Sequence, residues 1–190
     1  MCDNDAMLLV DELPSPIGPL TLTVRDGRVC LLHFGPRDSY VDRALARWYP
    51  GVTAAAGTAP HVREMLDSYF DGNIAALDRI DVEFNGTPFQ RRVWDALRSI
   101  VAGATTSYAA LAHVVGAPRA VRAVGAANGA NPVAVIVPCH RVIGSNGSLT
   151  GYGGGMDRKK WLLAHEARHS GLFHSVPGSR SSVLDPGSRF

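Results

Sequence analysis

Residues 107–129 read SYAALAHVVGAPRAVRAVGAANG. Ser107 is a residue type that caps helices, and Tyr108, Leu111, Ala112 and Val115 follow it at helical spacing, so a short helix is predicted to run to a stop at Gly116. Pro118 then opens a second helix extending to about Asn128. Two short helices joined through Gly116 and Ala117 form a helix-turn-helix pattern. The second helix is mostly Ala and Gly, with one or two arginines. That composition suits a tightly packed core helix, or a helix that approaches a narrow groove with almost no side-chain bulk. A major-groove reader carries several long polar side chains and this helix has few, so minor-groove contact fits it better. Arg122 is then the one long side chain placed to enter a duplex.

Immediately downstream, Asn131-Pro132-Val133-Ala134-Val135-Ile136-Val137-Pro138-Cys139 is an apolar run held between prolines. It predicts a short, fully buried extended segment. The run delivers Cys139, with His140 and Arg141 beside it, where the chain must turn. A lone cysteine is most often an inert small hydrophobe. A thiol flanked by an imidazole and a guanidinium instead suggests a fixed nucleophile, because the thiolate attacks and nearby positive charge favours it. Cys2 and Cys30 have no such neighbours. His140 could be a metal ligand, a core histidine or a proton acceptor. The acceptor reading, with a carboxylate orienting the ring, suits the neighbouring thiol. Glu166 is the candidate carboxylate, although a mid-helix Glu is usually solvated and spacing alone does not place it beside His140.

Upstream, residues 7–34 predict antiparallel strands: Leu20, Leu22 and Val24 alternate with polar positions, and Asp26-Gly27 is a hairpin turn. Residues 37–49 and 60–71 predict helices, and 81–84 one more strand. Asn85 to Pro88 is a turn at a domain boundary. Thr87 and Pro88 start a helix that carries Phe89, Val93, Leu97 and Ile100 and ends at Gly103. Residues 144–155 are a glycine-rich loop around Tyr152, and Asp157 to His169 is a final helix. The expected organisation is an α/β domain over 1–85, a mainly α domain over 86–169, and a mobile tail over 170–190 that is rich in Ser, Gly, Pro and Arg.

The chain has 190 residues, a net charge of +2 and a pI near 8.6. A strongly basic nucleic-acid binder would be more lopsided, so any DNA contact must be local and salt-sensitive. Three cysteines without CxxC spacing argue against a disulfide framework and for a reducing compartment. The acidic N-terminus does not look like a signal peptide, and no apolar run reaches 18 residues. A cytoplasmic protein with no membrane contact is expected. Cys2, Cys30, His33 and His61 could meet as a metal site, but no paired-ligand spacing supports one, so no metal is expected.

Pro138-Cys139-His140-Arg141-Val142 resembles the active-site motif of the O6-alkylguanine-DNA alkyltransferases. The resemblance extends to Thr106-Ser107-Tyr108, to Arg119 through Gly125, to Asn128 through Pro132, to Gly151 through Gly155 and to Trp161 through Glu166. It is dense over about 87–169 and looser around Ser15 to Leu20. It implies a ribonuclease H-like α/β domain containing a small antiparallel sheet, followed by a winged-helix-like helix-turn-helix domain. It also implies irreversible, stoichiometric transfer of an alkyl group from O6-alkylguanine, and less efficiently O4-alkylthymine, to Cys139, with no cofactor. The expected partner is double-stranded DNA, bound by a monomer with cooperativity left open, and the damaged base is flipped out of the stack. His140 would draw the thiol proton through a water, oriented by Glu166. Tyr108 would rotate the phosphate and donate toward the departing guanine, and Asn131 would brace the turn carrying the cysteine. Arg122 would fill the gap left by the base, on a DNA-facing helix contributing Ala120, Ala123, Ala126, Ala127, Asn128 and Gly129. Val137, Tyr152, Gly153 and Lys159 would line the base pocket. Two other readings remain: a non-catalytic lesion sensor or DNA-binding regulator, and a cysteine hydrolase built on Cys139, His140 and Glu166.

Overall fold

The structure, a computed structural model, describes residues 7–171. Cys2 and all but the first two residues of the expected tail lie outside that range. Strands β1 (Leu8–Leu13), β2 (Leu20–Arg25) and β3 (Arg28–Phe34) form a meander. Its second turn is set by Asp26 and Gly27, both at positive φ (49° and 78°), which matches the twist of a tight hairpin. Helix α1 (Ser39–Trp48) follows, capped by the Asp38 carboxylate, which accepts from the Tyr40 and Val41 amides. Then come β4 (Ala54–Ala56) and α2 (Pro60–Phe70). The sheet order is β3-β2-β1-β4, and β4 runs parallel to β1. The sheet is therefore mixed rather than antiparallel. Three successive alanines carry no alternation and little strand preference, so sequence gave no warning of β4. The strand expected over 81–84 reduces to one parallel bridge between Val29 and Val82.

Period-2 alternation splits the sheet into two faces. Leu8, Val10 and Leu31 point toward Val41, Leu45 and Tyr49 around α1, and an irregularity in the β2–β3 ladder, where Val24 pairs with Val29 and Thr23 with Leu31, lets the intervening Cys30 join the same cluster. Leu20, Leu22, Val24 and Leu32 point the other way, into a larger cluster that holds Leu66 and Tyr69 of α2. That cluster continues across the expected boundary at residue 85. It takes in Val93, Trp94 and Leu97 of α3 (Pro88–Arg98), Leu111 of α4 (Tyr108–Val114), Val124 of α5 (Val121–Gly129) and Leu162 of α6 (Met156–His169). One apolar interior thus joins the sheet to the helices.

Local signals place the helices. Thr87 and Gln90 form a reciprocal capping box at α3, and Pro88 occupies the first turn. The Ser107 hydroxyl accepts from the Ala110 amide at the start of α4. Short strands β5 (Thr106–Ser107) and β6 (Val142–Ile143) pair in parallel and bring the start of α4 beside the chain that follows Cys139. Helix α5 begins at Val121, not Pro118, because the chain first closes a tight turn in which the Ala120 amide donates to the Ala117 carbonyl at 2.8 Å.

Candidate active site

The segment 131–139 is buried as expected but is not extended. It coils: the Ile136 amide bonds the Ala134 carbonyl (2.8 Å), and the Val137 amide bonds the Val133 carbonyl (2.9 Å). Val135 sits at φ +68°, a left-handed conformation that a β-branched residue adopts only under constraint. Sequence periodicity cannot distinguish a buried strand from a buried coil when every position is apolar. The coil is anchored on β3, at the sheet's edge. The Leu32 amide donates to the Pro132 carbonyl (3.0 Å), and the Leu32 carbonyl accepts from the Ala134 amide (3.1 Å).

Asn131 holds the coil from inside. Its Oδ1 accepts from the Val133 amide (3.0 Å), while its Nδ2 donates to the Val137 carbonyl (2.8 Å) and reaches the Cys139 sulfur at 3.1 Å. Cys139 opens a 3-10 turn through Arg141. The residue is 6% exposed and lines a cavity of about 440 Å3.

Arg141 does not face the sulfur, which corrects the expectation of a guanidinium beside the thiol. It turns away to Glu166, with Nε 2.9 Å from Oε2 and Nη2 2.8 Å from Oε1, and it also donates to the Ile100 carbonyl. Burial accordingly pushes the Cys139 thiol above its ordinary value, against the lowering effects of the Asn131 amide, the nearby Tyr152 hydroxyl and the Lys159 charge. Resting Cys139 is a protonated thiol.

Glu166 lies on α6 and is fully buried. Besides Arg141 it accepts from His140 Nε2 (3.0 Å), the Tyr69 hydroxyl of α2 (2.9 Å) and the Gly103 amide (3.1 Å). Burial alone would raise its pKa, but the bonds and charges of His140 and Arg141 hold it well below the carboxylate range. An ionised Glu166 makes His140 Nε2 the protonated nitrogen, which leaves the Nδ1 lone pair as the basic site. Burial lowers the pKa of His140, so the ring is neutral near pH 7. Nδ1 is buried and has no hydrogen-bond partner among the described residues. Sequence pointed to Glu166 but not to Tyr69 or Gly103. Both come from other parts of the chain, and neither lies in a motif.

Cys139, Tyr152 and Gly153 share the cavity wall with Asn128 and Asn131. The Tyr152 hydroxyl is buried near the Cys139 sulfur without a well-aligned hydrogen bond. Val137 and Lys159, expected at the base pocket, are buried and are not among the residues lining this cavity. Both lone pairs of the Val137 carbonyl are engaged, by Asn131 Nδ2 and the Cys139 amide, and Lys159 Nζ donates to the carbonyls of Val142 (2.7 Å) and Thr150 (3.3 Å). Burial lowers the Lys159 pKa. The Tyr108 hydroxyl sits 3.2 Å from the Thr150 hydroxyl, at the rim of the glycine-rich loop.

On α5 the helical period divides the expected DNA-facing set. Arg122, Ala123, Ala126 and Gly129 are exposed and Ala120 half-buried, but Ala127 and Asn128 point inward. Ala127 packs in the core with its carbonyl bonded to the Trp94 indole N–H (2.8 Å), while Asn128 turns from the exposed face of the helix to the wall of the cavity that holds Cys139. Of the residues weighed as metal ligands, Cys30, His33 and His61 lie apart from one another, and Cys2 is outside the described residues. Cys30 packs near Tyr49 with its pKa pushed up to about 11 by burial, His33 stacks on Tyr40, and His61 lines a separate cleft on α2.

Residues 88–168 match the family described as "6-O-methylguanine DNA methyltransferase, DNA binding domain". A methylated-DNA–protein-cysteine methyltransferase of Mycolicibacterium paratuberculosis is 49% identical over 164 residues, covering 86% of this chain and 95% of its own. The Salmonella typhimurium protein of the same name is 45% identical, covering 84% and 95%. The crystal structure of the Mycobacterium tuberculosis O6-methylguanine methyltransferase superposes with a TM-score of 0.72 at 40% identity, over 86% of this chain and 94% of that one. A crystal structure of the M. tuberculosis protein in complex with DNA gives 0.70 at 40% identity, over 85% and 94%.

Proposed function

The chain belongs to the methylated-DNA–protein-cysteine methyltransferases, and from that we propose that Cys139 is the residue alkylated in its single-turnover repair of DNA. The observation that carries the assignment is the placement of the sulfur. Cys139 lines a cavity, braced by Asn131, beside a histidine whose free nitrogen is basic because Glu166 holds the other. Neutral His140 Nδ1 takes the thiol proton through one bridging water. The sulfur attacks the alkyl carbon, the S–C bond forms, and the C–O6 bond breaks with its electron pair passing to guanine. A proton returned to the base leaves neutral guanine in DNA and a thioether on the protein. That bond does not hydrolyse, so each molecule acts once. The low resting acidity of the thiol fits this order of events, because ionisation is required only when an alkylated base is seated.

The partner is duplex DNA carrying O6-alkylguanine, approached by the exposed face of α5. Arg122 enters the stack as the base rotates out, offsetting an unstacking cost of a few kcal/mol. Tyr108, at the rim, meets charge developing on the leaving guanine. A cytoplasmic monomer, ribonuclease H-like before residue 86 and winged-helix-like from there to 169, completes the reading. The two-part fold in that reading is supported by the mixed sheet with its flanking helices and by the paired helices α4 and α5. Among the described residues no helix is long and apolar enough to cross a membrane.

Duplex DNA bearing one O6-[methyl-3H]guanine tests the assignment. About one label per molecule is expected on the peptide containing Cys139, and none for Cys139→Ala. Repeated turnover would favour a hydrolase, and label retained in Cys139→Ala would move the acceptor elsewhere.

A further inference from the structure

Part of the cavity wall is a glycine-rich segment that brings only one side chain of its own, Tyr152, to the packing. In residues 151–155 only Tyr152 has a side chain beyond hydrogen. A Cβ placed on Gly151, Gly153 or Gly155 would meet no atom within 4 Å, so these positions lie in open space. Yet this strip faces a base pocket whose width must be defined to well under an ångström if a small alkyl group is to be presented to sulfur.

Arg158 supplies a hold. It stands on α6, one turn past the strip, on a helix fixed by the buried Lys159 and Glu166. Its Nη1 donates to the Gly154 carbonyl at 2.8 Å, within the strip. Its Nε donates to the Ile17 carbonyl at 2.8 Å, in the loop between β1 and β2. Its guanidinium carbon lies 5.1 Å from the centre of the Phe34 ring, at the end of β3. Phe34 in turn meets Tyr152 edge-on at 5.9 Å between centroids, and a Cβ on Gly154 would fall 2.3 Å from the Phe34 ring. Phe34, Tyr152, Gly154 and Arg158 all line the same cavity as Cys139. One planar, rigid donor fork therefore ties a strip that has a single side chain to a loop of the N-terminal sheet and to a strand end that shares the cavity wall.

We propose that Arg158 is a specificity-determining positioning residue, which sets the width of the alkyl pocket by clamping the Gly151–Gly155 strip to Ile17 and Phe34. The proposal rests on the reading of this cavity as the site of alkyl transfer. With the clamp in place the wall fits small O6 substituents. Without it the strip moves outward, a methyl group loses its alignment with sulfur, and a larger flat substituent is admitted. Lysine cannot replace the arginine, since a single ammonium does not reach both carbonyls in the geometry of the fork.

The test measures single-turnover transfer rates from duplexes containing O6-methylguanine or O6-benzylguanine, for the full chain and for Arg158→Met and Arg158→Lys. Undamaged-duplex affinity and Tm are measured alongside. Both variants should lose about tenfold in methyl transfer and lose little or nothing in benzyl transfer, with DNA affinity unchanged. The benzyl-to-methyl ratio then rises about tenfold relative to the unmodified protein. Should Arg158→Met fail to fold, Arg158→Lys, which keeps the charge over Phe34, decides the matter. Equal losses on both substrates, or an unchanged ratio, would overturn the clamp while leaving the transfer reaction standing. No transfer to Cys139 from either duplex in the unmodified protein would overturn both.

Discussion

Glu166 shows how one side chain organises a site. Its two oxygens take donors from His140, Arg141, Tyr69 and Gly103, so the charge is shared among four residues from three parts of the chain. These partners do not contribute alike. The bond to His140 fixes the tautomer that leaves a basic nitrogen free, whereas the Tyr69 bond only steadies the carboxylate. Glu166→Gln should therefore slow alkyl transfer by about two orders of magnitude or more, and it should cost about 3 kcal/mol of stability by leaving the buried Arg141 charge unpaired. Tyr69→Phe should cost about 1–2 kcal/mol and keep the transfer rate within a few fold. Single-turnover kinetics and urea unfolding on both variants check this. Comparable kinetic losses would mean that the carboxylate acts only as scaffolding.

At the scale of elements, the coil 131–139 and helix α5 do separate work. The coil delivers the cysteine by a tight, partly strained path hung on Leu32 of β3, so the reactive thiol is positioned by the sheet as much as by its own neighbours. Helix α5 presents a face of small residues from which Arg122 alone projects as a long side chain. If Arg122 assists extrusion, its loss should be felt only when there is a stack to enter. Arg122→Ala is expected to slow repair of duplex O6-benzylguanine by about tenfold or more while transfer from the free base O6-benzylguanine stays near the unmodified rate. Parallel rate measurements on the two substrates decide it, and an equal drop on both removes Arg122 from base extrusion.

For the whole molecule, the buried site makes stability depend on pH. The pKa of folded His140 is lowered below 6.5, chiefly by burial. Between the folded and unfolded values the unfolded chain holds more protons, so stability rises with pH there and falls as pH drops below about 6.5. The pKa of folded Glu166 is held below its ordinary 4.5 despite burial, which adds a second loss as pH falls past 4.5. The Tm should be level above about pH 7, decline from pH 6.5 and decline more steeply below 4.5. In Glu166→Gln the steep acid limb should flatten. A Tm unchanged between pH 7 and 4 would show that neither group stays unprotonated in the folded state.

Local chemistry made much of this legible before any coordinates. The Asp26-Gly27 hairpin, the Thr87-Pro88 and Ser107 helix starts, the paired helices and the adjacent Cys139 and His140 are written in caps, turns and motifs that act over a few residues, whereas Glu166, 26 residues beyond His140, is brought to it by the fold. What sequence left open depends on distance through space. The parallel pairing of three alanines, the coil in place of a strand, the turning of Arg141 from sulfur to carboxylate, and the inward faces of Ala127 and Asn128 are settled by packing against segments remote in the chain. So is the reach of Arg158 across 141 residues to the Ile17 carbonyl. A side chain's type fixes which bonds it can make, but only the folded arrangement, in which every buried donor competes for the nearest acceptor, fixes which bonds it does make.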